Sequence, residues 1–158
     1  MDPLVEQMEI GLSEMLDLYH ELLDLSIAMA KHLESDDWEA VNEVLCAKEA
    51  ITGKIDNGQA RVEELRTDLE RHLELEEFSV SALEEHFHAP ELSHILNQLM
   101  DVIQQIQATD GDNERRLRQM VANVQLQMDD LQKGQKAAKA YQPNPPLQGN
   151  ARFVDEKK

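Results

Sequence analysis

Apolar residues recur along this chain at the spacing of a helix, three and four residues apart, over almost its whole length. In the first stretch a heptad register puts Met8, Met15, Leu22 and Met29 at position a. Gly11, Leu18, Leu25 and His32 then fall at d, and Leu12, Tyr19, Ser26 and Leu33 at e. Pro3 suits a first helical turn, so the pattern predicts a helix over about 3–33. Glu34-Ser35-Asp36-Asp37 breaks it. Ser35 or Asp36 is the expected cap of a second helix, with Asp36-x-x-Glu39 resembling a capping box. That helix is predicted over about 36–74, with Val41, Lys48, Ile55, Val62 and Leu69 at a and Val44, Ile51, Gly58, Leu65 and His72 at d. Trp38, Leu45 and Leu73 fall at e. Lys48 and Gly58 weaken this seam, and Asn57-Gly58 is a candidate kink.

Residues 75–89 read as a connector in which Ser79 or Ser81 caps a short helix, about 79–87, carrying Val80, Leu83 and Phe87. Pro90 then opens a third long helix predicted to about residue 140. Its a positions are Leu96, Ile103, Asp110, Leu117, Val124, Leu131 and Ala138; its d positions are Leu92, Leu99, Ile106, Asn113, Met120 and Gln127. The stretch Thr109-Asp110-Gly111-Asp112-Asn113 puts polar groups on that seam. It predicts a kink, a frayed turn or a partner-dependent segment, or else an exposed stretch of helix. Pro143, Pro145 and Pro146 cannot lie inside a helix, so 141–158 is expected to be an extended or disordered tail. Tyr141, Leu147 and Phe153 give that tail apolar anchors. Three long amphipathic helices on short joints predict one all-α domain over 1–140. It would be an elongated antiparallel bundle with left-handed, coiled-coil-like packing, plus the short connecting helix.

Charge changes the picture of partners. The chain of 158 residues carries 32 acidic and 15 basic residues, net −17. That argues against a nucleic-acid module, which needs basic patches, and against anionic membrane surfaces. The imbalance lies in residues 1–89, with 23 acidic and 6 basic residues; residues 90–158 hold 9 of each. The two parts are therefore expected to face different things. No apolar stretch is long enough to span a membrane. The acidic start, Met1-Asp2-Pro3, is unlike a secretory signal. The expected address is the cytoplasm.

Little in the sequence suggests chemistry. Di-iron bundles need Glu-x-x-His motifs pointing inward. Here Glu91-x-x-His94 and Asp17-x-x-His20 fall at outward positions, and Glu85-x-x-His88 lies in the connector. His86, His88 and His94 read as surface histidines. Cys46, the one cysteine, has acidic neighbours and lacks the setting of a catalytic thiol. No phosphate-binding glycine loop or nucleophile elbow is present. The expectation is a protein without catalysis, metal or cofactor, acting by binding. The best surface is the third long helix, where Leu117, Met120, Val121, Val124, Met128 and Leu131 form an apolar face flanked by Gln119, Gln125, Gln127, Gln132 and Gln135. Methionine adapts to varied partners, and such a face can take an amphipathic helix. The same face can equally pack on the protein's own helices.

Three stretches carry a family resemblance. They are Tyr19 to Val41 (YHELLDLSIAMAKHLESDDWEAV), Leu45 to Ile55 (LCAKEAITGKI), and Asn113-x-x-x-Leu117 with the long helix after it, Ala140-Tyr141 and the Pro/Gly-containing end. In these the chain resembles the FlgN family of flagellar type III export chaperones. The resemblance implies a cytoplasmic chaperone that holds hook–filament junction (hook-associated) proteins by their helical C-terminal segments and hands them to the export gate. It implies that the third long helix is the client surface. It further implies that Tyr141 and the tail, with Phe153, contact the export gate and its ATPase complex. A monomer or weak homodimer is expected. The rival readings are a self-associating structural coiled-coil protein and a non-flagellar secretion adaptor.

Overall fold

A computed structural model describes residues 2–141. Four helices, and no strand, occur among the described residues: α1 (Pro3–Glu34), α2 (Trp38–Leu73), α3 (Val80–Phe87) and α4 (Pro90–Tyr141). The chain divides into two compact units, residues 1–117 and 118–158.

Local chemistry sets the helix ends. Asp2 caps α1, its carboxylate accepting from the Leu4 amide at 2.8 Å, and Pro3 takes the first position, where a missing N–H leaves nothing unpaired. Asp37 caps α2, accepting from the Ala40 amide at 3.1 Å. This corrects the expectation of Ser35 or Asp36. Those two residues are used in ending α1: Ser35 is its C-cap, and its amide and hydroxyl both reach the Lys31 carbonyl. Asp36 turns the chain at φ 53°. Ser79 caps α3 as expected. Glu74 and His88 close α2 and α3 in the left-handed region, at φ 51° and 53°. That region is uncommon for residues other than glycine.

In the first unit, α1 and α2 form an antiparallel hairpin. Gly11 lies against Val62, Met15 against Gly58 and Glu14 near Arg61, while at the open end Asp2 meets His72 at 3.3 Å. One number rises as the other falls. The glycines sit where the two helices are close. A Cβ on Gly11 would stand 3.5 Å from Val62, and one on Gly58 would stand 3.2 Å from the Met15 side chain. Gly58 thus serves close packing, and α2 runs unbroken through the Asn57-Gly58 pair expected to kink it.

The first stretch of α4 completes the core. Leu92, Leu99, Val102 and Ile106 join Val5, Met8, Leu12, Met15 and Leu16 of α1, Ile51, Ile55 and Leu69 of α2, and Leu83 of α3. Met8 and Leu12 share a small apolar cavity of about 80 Å³ with Val62, Leu83, Leu92 and Leu96, and Ser26 lies against Asn113. α4 therefore starts beside the start of α1 and runs parallel to it, antiparallel to α2. Because α1 serves two neighbours, its buried residues fall at positions a and e, with Leu16 at b, rather than on a strict a/d seam.

The polar stretch 109–113 does not fray the helix, and it is not simply an exposed length of it. α4 is continuous across it. Asp110, at position a, meets Lys48, at position a of α2, at 2.6 Å, with the lysine side chain only 17% exposed. Asn113, buried at d, donates from Nδ2 to the Ser26 carbonyl at 2.9 Å. Polar positions that look like weak points when each helix is read singly thus find partners across the helix interfaces.

Candidate partner-binding surface

Within the second unit the described residues, 118–141, are helical, and all of them are exposed except Met120, which is half-buried. At 3.6 residues per turn, Met120, Val121, Val124, Met128 and Leu131 fall within roughly 100° of arc, the width of stripe that globular helices normally bury. Here Val121 is 62% and Leu131 66% exposed, with Val124 and Met128 close to half. Gln125 and Gln132 border the stripe, and the Gln125 amide donates to Asp129 at 3.4 Å. Asp129, Lys133 and Lys136 project from the opposite side. The stripe is thus an apolar band bordered mainly by glutamine, with Asp130 beside Leu131. Around Leu131, the residues Gln127, Asp130, Gly134, Gln135 and Ala138 line an open concavity with it.

Five of the six residues named from the sequence therefore lie together on one face of the second unit. Leu117, the sixth, closes the first unit and is half-buried. Tyr141 is the most exposed large hydrophobic residue described, at 89%. Phe153 lies outside the described residues. Leu126, 62% exposed on the side away from the stripe, is an apolar residue that the heptad reading passes over.

In the first unit Trp38 and Leu45, both expected beside the α2 seam, are more than two-fifths exposed. Cys46 is exposed. The His86 ring is bonded to the Ala82 carbonyl at 2.8 Å. Among the described residues no group of three or more His, Cys, Asp and Glu side chains is placed to hold a metal ion, and no helix is long and apolar enough to cross a membrane. Arg66 carries a pKa raised above the usual guanidinium value, chiefly by its hydrogen bond to Glu63 and then by the charges of Glu63 and Glu70. This is surface ion pairing on α2.

Two features of this arrangement carry functional weight. The band is apolar, exposed over most of its length and adaptable through its methionines, the kind of surface that marks interaction sites. It also belongs to the part of the sequence outside the acid-rich residues 1–89. No curated protein and no solved structure matches the chain. The family model described as FlgN protein matches residues 1–145.

Proposed function

The chain belongs to the FlgN family of flagellar export chaperones, and on that premise we propose that it holds hook–filament junction proteins by their helical C-terminal segments before export. The observation that carries this reading is the apolar stripe Val121, Val124, Met128 and Leu131, exposed on a helix beside half-buried Met120 and bordered mainly by glutamine. An amphipathic client segment would lay its own stripe on this one. Covering the client's assembly helix keeps it from joining its neighbours early. Because the border is mainly glutamine, the grip is mainly apolar. It therefore tolerates related clients and can be released without breaking fixed ion pairs.

In this reading the protein works in the cytoplasm, by binding and without catalysis, metal or cofactor. It delivers the client to the type III export gate and its ATPase complex. Tyr141, exposed at the end of α4, and Phe153 are the docking residues for that apparatus. Tyr141→Ala should leave client affinity unchanged while reducing export of the client in cells. Any homodimer is weak enough to give way to the client.

The test is calorimetric titration of the full chain with a C-terminal fragment of a hook–filament junction protein. One-to-one saturable binding is expected, lost on removing residues 118–158. A soluble fragment that gives no heat and no complex would overturn the reading.

A further inference from the structure

α4 carries one apolar seam along most of its length, yet only part of it belongs to the protein's own core. Leu92, Leu99, Val102 and Ile106 are buried. Further on, the same register supplies Leu117, Met120, Val124 and Leu131. A seam repeating every seven residues does not by itself say which heptads face the hairpin. Moved by one heptad, Leu117 or Ile103 would take the place of Asp110, and Met120 or Ile106 the place of Asn113. All of these are apolar residues of suitable size. The connector, residues 74–89, has the length to follow such a shift of about 10 Å.

The interruption at 110 and 113 resolves that ambiguity. From residue 107 to 117 the only buried side chain of α4 is Asn113. Its partner is a backbone carbonyl at Ser26, itself fully buried and with a hydroxyl that has no hydrogen-bond partner. Lys48 stands mostly buried on α2 with Asp110 as its counter-charge. A leucine facing Lys48 would leave a largely desolvated ammonium without its counter-charge, which is strongly unfavourable. We propose that Lys48, Asp110 and Asn113 are specificity-determining residues. They fix the register of α4 on the α1–α2 hairpin and so decide where the protein's own core ends and the partner-binding stripe begins. The same three also keep a foreign amphipathic helix from replacing α4, because a purely apolar seam cannot answer Lys48. This last consequence rests on the proposed helix-binding function; the register assignment does not.

The test uses Cys46, the sole cysteine and an exposed one, with Gln104→Cys on α4 as a second exposed label site. Spin labels at the two give a distance by pulsed electron resonance in the full chain, with no client present. The native register should give one narrow distance. In Lys48→Met/Asp110→Leu/Asn113→Leu the helical signal and thermal midpoint should hold. A second distance should appear, displaced by up to about 10 Å, one heptad of rise. If the triple variant aggregates, Asn113→Leu alone should show the second distance as a minor population. A single unchanged distance in the folded variants would overturn the proposal. In a separate measurement, the triple variant should bind the client fragment at least fivefold more weakly. A chain that binds no client in its native form would fail only this arm, leaving the distance result to judge the register.

Discussion

Leu92 and Leu131 lie on the same helix and in the same heptad register, one at d and one at a. One is 1% exposed, the other 66%. Around Leu92 stand Met8, Leu12, Val62 and Leu83, from three other helices. Around Leu131 the lining residues are all from α4 itself. Periodicity tells which side chains are available for burial. It does not tell against what. A stripe is core where the chain supplies the opposing surface; around Leu131 the described residues supply none.

The largest effect that would sharpen this contrast is in the core. Leu92→Ala should destabilise by about 2–5 kcal/mol, from lost burial plus the cavity left behind. Denaturant unfolding followed by circular dichroism would show it as a lower midpoint. If Leu92→Ala cost no more than an exposed substitution, the core assignment would be wrong. Next comes Val124→Asp, expected to weaken client binding at least tenfold while changing stability by no more than about 0.5 kcal/mol, as for other exposed positions. Leu117→Asp, half-buried at the end of the first unit, should lose both stability and binding. Equal loss of stability in the two aspartate variants would erase the boundary between core and interface. Smaller again, Asp37→Ala should cost about 1 kcal/mol through the lost cap of α2, with client affinity kept.

The smallest effect compares two glycines inside helices. Gly134→Ala meets nothing within 4 Å and should raise helix stability by up to about 1 kcal/mol. Gly58→Ala brings the same propensity gain, but its methyl would stand 3.2 Å from Met15, so the net should be clearly smaller. A larger gain at Gly58 than at Gly134 would mean that the hairpin is looser than its geometry.

Much of this was legible in the sequence. Pro3, Pro90 and Ser79 mark helix starts because each suits one place in a first turn. The long apolar periods define α1, α2 and α4 because nothing but helix satisfies them. What was misread is also instructive. Lys48, Asp110 and Asn113 look like flaws when each helix is read alone, since a polar group on a seam is unfavourable until its partner is known. Their partners are 62 and 87 residues away in the chain. Likewise, one-helix reasoning found the stripe from Met120 to Leu131 but could not choose between core and interface, because that choice depends on what the other helices cover.

The chain has its glycines and its turns in unusual places. Gly11, Gly53, Gly58, Gly111 and Gly134 all lie within helices, and none of the described glycines has a positive φ. Asp36, Glu74 and His88 carry the left-handed conformation instead, one at each joint. The usual allocation is the reverse, with glycine past the helix end and better helix formers inside. Left-handed backbone costs a residue with a Cβ about 1 kcal/mol or more. Each joint is therefore held in shape by the packing on either side of it. The fold has unused reserve: glycine at 36, 74 or 88 and alanine at 53 or 111 would raise its melting temperature with every contact in place.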